Sequence, residues 1–172
     1  MTGPRGRGFW TDRSGAAAIE FAMLIGPLLL LILGTLEVSL NYFVGASMDF
    51  ATQKVARLVK TGQAQGLGLN TTQLKTQMCQ EMFNLFDCTA NIYIRVEVLT
   101  TLSAPARPLP VNSDGSFSAA VAPQLGVGGD YIIVRSYFQF SPLFDIFGAL
   151  TPRLANGHHI VVASSLFRNE PF

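Results

Sequence analysis

Sixteen consecutive residues, Phe21 to Leu36, carry no charge and are bracketed by Glu20 and Glu37. A bilayer core of about 30 Å needs roughly 20 helical residues at about 1.5 Å each. The stretch Ala16 to Leu40 supplies 25 residues, so the pattern predicts one membrane-spanning helix. Gly26-Pro27 lies inside it, and the missing proline N–H predicts a kink or a locally melted turn, which membrane helices tolerate better than soluble ones. Arg5, Arg7 and Arg13 precede the span, offset only by Asp12, and the first cation after it is Lys54. By the positive-inside rule this places the N-terminus in the cytoplasm and the rest of the chain across the membrane. With 49% hydrophobic and only 13% charged residues in 172, the chain is more apolar than an average soluble domain. Residues 41–172 suffice for one small domain with its own core. A formal net charge of +1, with no basic cluster interleaved with aromatics after Arg13, excludes nucleic acid as a partner.

A basic segment followed by an apolar one is also the pattern of a cleaved signal peptide. The apolar stretch is too long for that. Val44-Gly45-Ala46 is the nearest approach to a small-x-small cleavage site. Helical periodicity continues past the span through Val44, Met48, Ala51, Val55, Leu58 and Val59, with Lys54, Arg57 and Lys60 on other faces. One long helix therefore leaves the bilayer and ends near Gly62.

Beyond the glycine-rich turn at Gly62, Gly66 and Gly68, Asn70 or Thr71 can cap a second helix running to about Phe86, with Leu74, Met78, Met82 and Leu85 as its buried stripe. Cys79 and Cys88 are the only cysteines, and in an oxidising compartment the pair reads as a disulfide. Asn91–Thr100, Tyr131–Phe140 and His159–Phe167 alternate with period two and predict a three-stranded antiparallel sheet. Packing one face on the helices buries Ile92, Ile94, Val96 and Val98, or the alternate set in the other register, and the first choice turns Arg95 and Glu97 outward. The fold class is thus α+β: a long N-terminal helix and a second helix on a small sheet. Residues 103–129, rich in Pro, Ala, Ser and Gly, read either as a mobile partner-facing loop or as a disordered linker. Ser141–Asn156, with Leu143, Phe144, Ile146, Phe147 and Leu150 and the adjoining Phe140, reads as a short apolar helix. It could lie on the membrane surface, dock on the sheet, or bury against another subunit.

No nucleophile–base–acid set, H-E-x-x-H or phosphate loop can be assembled, which argues against an enzyme. Two cysteines are too few for a metal site, and His158-His159 lack a carboxylate or cysteine at ligand spacing. They read as ordinary surface or loop residues. No cofactor is implied.

The segment Arg13-Ser14-Gly15-Ala16-Ala17-Ala18-Ile19-Glu20-Phe21 resembles the processing site of type IV prepilins and pseudopilins, in which a peptidase cuts after a glycine and a glutamate stands fifth in the mature chain. Cutting after Gly15 makes Ala16 first and Glu20 fifth. A carboxylate inside a membrane helix costs a few kcal/mol, about 3 on insertion scales, and so calls for a partner. The resemblance supplies one: the free N-terminal amine of a neighbouring subunit, with Phe21 beside Glu20 in the assembly contact. The opening Gly15–Ala22, the leucine-rich span with Leu36-Glu37 and the closing Arg168-Asn169-Glu170-Pro171-Phe172 resemble the TadE-like family of tight-adherence (Flp, type IVc) pilus systems. A chain this long resembles an accessory subunit rather than the far shorter major pilin.

That resemblance implies a basic cytoplasmic leader (1–15), a transmembrane helix (16–40) and an extracytoplasmic α+β domain (41–172) in the bacterial inner membrane, with incorporation into the pilus as a further step. The implied partners are other pilins and pseudopilins, the prepilin peptidase, the inner-membrane assembly platform and the lipid bilayer. Two readings compete with it. One is an anchored periplasmic binding or sensor module. The other is an uncleaved scaffold of the same system, in which Gly15 merely precedes the helix and Glu20 snorkels to the interface.

Overall fold

In the computed structural model, residues 15–84, 87–100, 108–144 and 153–172 are described. The apolar run and the docking stripe that follows it are one continuous helix, α1 (Ala16–Lys60). It passes through Pro27 without a break, so no turn is melted there. A membrane offers a freed backbone group no water, which favours keeping every remaining intrahelical bond. Arg57 and Lys60 occupy the last turn, where cations complement the helix dipole, and Thr61 caps onto the Arg57 carbonyl. Gly62 then reverses the chain with a φ of +77°, and the Phe172 ring packs where a side chain would project. Glycine alone fits both demands.

A short helix α2 (Gln63–Gly66) leads to α3 (Thr71–Glu81). Asn70 caps α3 in a reciprocal box: its Oδ1 accepts from the Gln73 N–H at 2.9 Å, and Gln73 Oε1 accepts from the Asn70 N–H at 2.9 Å. The helix stops at Glu81, five residues before the Phe86 expected from periodicity. Phe83 and Asn84 take positive φ, and the Asn84 N–H turns back to the Cys79 carbonyl at 2.8 Å, so the chain reverses toward Cys88. Leu74, Met78 and Met82 are buried as the stripe requires, whereas Leu85 and Phe86 lie outside the described residues. Cys79 and Cys88 form a disulfide with a Cα–Cα distance of 5.6 Å. It joins α3 to the helical turn α4 (Cys88–Asn91).

Strands β1 (Ile92–Leu99), β2 (Tyr131–Phe140) and β3 (His159–Arg168) form one antiparallel sheet in the order β1-β2-β3. The architecture is α+β, with a candidate membrane-spanning helix. Asn91 belongs to α4 rather than to the first strand, and the third strand runs one residue past Phe167. The inner face carries Ile92, Ile94, Val96 and Val98 with Ile132, Val134 and Phe138, and α1 lies under β3 and β2 while α3 packs on α1 and β1. On the outer face Glu97 faces Arg95 and Arg135 at 3.9 and 4.0 Å. Tyr93 and Tyr137, on that same outer face, are also buried.

The cover over those tyrosines is the β1–β2 connection. Its described part, from residue 108, is neither a free loop nor a linker. Val111 and Phe117 pair across a tight turn, Phe117 lies 5.6 Å from the Tyr93 ring, and the Tyr93 hydroxyl donates to the Ala119 carbonyl at 3.3 Å. Gln139 donates to the Gly115 carbonyl at 2.9 Å, and the Gln124 N–H reaches the Val96 carbonyl at 3.0 Å, shielding the edge of β1. The expected apolar helix within 141–156 falls largely on residues outside the description. Residues 141–144 are not helical, and Phe140 is the last residue of β2 and buried.

Candidate processing and assembly site

Gly15 is the last residue before α1, with φ −87° and ψ −7°, and its carbonyl accepts the Ile19 N–H at 3.2 Å. No side chain caps the helix start, and open space surrounds the position a Gly15 Cβ would take. Three consequences follow from elementary helix geometry. The backbone N–H groups of Ala16, Ala17 and Ala18 have no partner inside the helix and form its positive pole. Ala16 and Glu20, four apart, share one face. Phe21 is the first large residue after the carboxylate, and it is exposed along with Ile19, Met23 and Leu24.

Gly15, Ala16, Glu20 and Phe21 are therefore brought together within the first turns of one helix, all solvent-accessible. Glu20 makes no hydrogen bond or ion pair among the described residues. Its sequence counterpart at the other end of the apolar run behaves differently: Glu37 is only 4% exposed, and its carbonyl accepts from the Asn41 amide at 2.9 Å. Bracketing position alone could not separate these two. Between them a shallow groove along α1 is lined by Pro27, Leu30, Leu31, Gly34, Thr35, Val38 and Ser39. The Thr35 and Ser39 hydroxyls are spent on α1's own carbonyls, of Ile32 and Thr35.

The disulfide cysteines stand apart from this site, at the end of α3. Among the described residues no three His, Cys, Asp or Glu side chains gather as a metal site. His159 opens β3 beside the Phe140 ring rather than lying in a loop, and His158 is half-buried. Burial lowers the Lys75 ammonium from its ordinary range, and the Ser116 hydroxyl and N–H hold the Asp114 carboxyl below its own. Both are far along the chain from Glu20.

Two structural features had weak sequence signals. Thr52 and Ser136, in otherwise apolar stripes, join hydroxyls in the core between α1 and β2, and Thr52 also donates to the Met48 carbonyl at 2.8 Å. The closing residues form a latch. Asn169, buried, donates to the Leu125 and Val127 carbonyls at 3.0 and 3.2 Å, while the Glu170 N–H reaches the Lys60 carbonyl at 2.9 Å and its carboxylate lies 3.5 Å from Lys60 Nζ.

The family model described as TadE-like protein matches residues 15–57. This stretch of the chain is TadE-like. The TadE-like segment opens at Gly15, contains Ala16, Glu20 and Phe21, and ends three residues before α1 does. It takes in the exposed half of the helix and most of the half that supports the sheet, and leaves the disulfide, the strands and the latch outside. No curated protein and no solved structure matches the chain.

Proposed function

We propose that this protein is a minor pseudopilin-like component of a tight-adherence pilus. It is anchored by α1 in the bacterial inner membrane with residues 1–15 in the cytoplasm and residues 41–172 in the periplasm, and is cut after Gly15 by a prepilin peptidase. The observation that carries this reading is the coincidence of the TadE-like match with a helix whose exposed half holds a carboxylate, Glu20, with no partner among the described residues. An ammonium created at Ala16 would sit at the positive pole of the helix, where it is disfavoured. The Glu20 carboxylate of a neighbouring subunit offsets that charge, and the same contact removes the cost of leaving Glu20 in lipid. Phe21 packs beside the pair. The role is structural, not catalytic, and its partners are pilins and pseudopilins, the peptidase and the assembly platform.

N-terminal sequencing of the protein from its native membranes, with and without the peptidase, tests this. A start at Ala16 that depends on the peptidase is expected, as is loss of assembly in Glu20→Ala without loss of membrane insertion. An intact leader would replace this reading with an uncleaved scaffold or an anchored binding module.

A further inference from the structure

Register and latch together orient the sheet on α1. The Tyr131/Arg168 end is tied to the top of the helix, because Asn169 bonds the Asp130 carbonyl and Glu170 bonds the Lys60 carbonyl. The hydroxyl contact of Thr52 with Ser136 lies further down both elements. The opposite end, where Phe140 pairs with His159, therefore points toward the apolar half of α1. From Ser136 the strand descends about 13 Å more, at about 3.3 Å per residue. The α1 stripe under the sheet has Val44 as its lowest member, with only Gly34 and Glu37 buried below it, and beside Val44 Phe43 is exposed and Tyr42 is 80% exposed. The chain leaving β2 there presents Leu143 and Phe144, 64% and 46% exposed.

We infer that Leu143 and Phe144, where the chain leaves β2, rest with Tyr42 and Phe43 in the interfacial layer of the bilayer that α1 crosses, giving the periplasmic domain a second, non-spanning foothold. This rests on the reading of α1 as a membrane span. The occupant is lipid because these side chains leave the sheet at the pole directed toward the exposed apolar half of α1, whose exposed side chains run from Ile19 to Phe43, and because aromatic side chains are favoured at headgroup depth. The foothold restricts the tilt of the domain on its helix, so subunits arrive at assembly already oriented.

The test uses the full chain in phosphatidylcholine–phosphatidylglycerol proteoliposomes. Trp10, the single tryptophan, is replaced by Trp10→Phe, and single reporters are introduced as Phe144→Trp, Leu143→Trp, Leu30→Trp and Leu67→Trp, all at exposed positions. Quenching by lipids brominated near the headgroup or near the bilayer centre reads the depth of each. Leu30→Trp is expected to lose emission to central bromines, the residue 143 and 144 reporters to headgroup-proximal bromines, and Leu67→Trp to neither. Quenching at Leu30→Trp with none at 143 and 144 overturns the foothold and leaves the anchor standing. In that case blue-shifted emission assigns the patch to a protein contact, and emission like that of Leu67→Trp assigns it to water. No quenching at Leu30→Trp removes the anchor itself, and the foothold with it.

Discussion

The two halves of α1 are both apolar, yet they meet opposite surroundings. From Ala16 to Phe43 most large side chains are exposed and only Gly34 and Glu37 are buried, whereas from Val44 onward a single stripe, Val44, Met48, Ala51, Val55 and Val59, is sealed under the sheet and α3. Apolarity all round suits a lipid solvent, and apolarity on one stripe suits a protein partner with water behind it. The lower half needs a medium to be stable, while the upper half already has its neighbour.

The sharpest way to break this contrast is a matched truncation. Met48→Ala is expected to cost about 2–5 kcal/mol of domain stability by leaving a cavity. Leu30→Ala should cost less than about 0.5 kcal/mol, having no packed partner to lose. Denaturant unfolding of the protein in detergent reads both, and equal effects would show that the two halves are not distinct. Removing the disulfide as Cys79→Ala with Cys88→Ala frees a ten-residue loop in the unfolded chain and should lower the same midpoint by about 2–3 kcal/mol. Insertion of the lower half should be untouched, and a drop in membrane insertion would show that the two halves are coupled.

Thr52→Val removes the Ser136 hydroxyl's partner on α1 and leaves it the Ala163 carbonyl at 3.4 Å, for an expected loss of about 0.5–1.5 kcal/mol. Adding Ser136→Ala should cost less than the sum of the two single changes, because each single change already removes the one bond the hydroxyls share. A strictly additive pair would mean that the two hydroxyls are not coupled across the core. The smallest effect belongs to Asp114, whose folded pKa lies below its unfolded value. Its contribution is present above the unfolded pKa and disappears as pH falls through the folded one. In NMR spectra the Ser116 amide resonance should shift in that acid window, where Asp114→Asn should not titrate, while α1 signals stay constant in both.

Much of this contrast is legible in the residues. The span, the continuing stripe, the Asn70 cap, the strand positions and the two-cysteine arithmetic depend on patterns that repeat locally, and local patterns survive whatever the rest of the chain does. The end of α3 was less legible: its periodicity runs on toward Phe86, but the chain must reverse to bring Cys88 within reach of Cys79, and closure overrides propensity. The β1–β2 connection was misleading for a related reason. Its Pro, Ala, Ser and Gly content carries little apolar periodicity, yet its hydrogen bonds to Gln139 and Val96 and the Phe117–Tyr93 contact fasten it to the outer face. Such bonds join residues far apart in sequence and leave no period to detect.

The sequence by itself determined that one helix is long and apolar enough to cross a membrane, that a small α+β unit follows it, and that Gly15, Ala16, Glu20 and Phe21 share its first turns. Each of these depends only on composition and spacing along one element. Tertiary structure alone decided that Glu37 is buried while Glu20 is exposed, that Thr52 meets Ser136, and that the last residues latch Lys60 to the turn at Asp130. Burial and pairing depend on what the remainder of the chain places nearby, and no local pattern encodes a neighbour that arrives from the far end of the sequence.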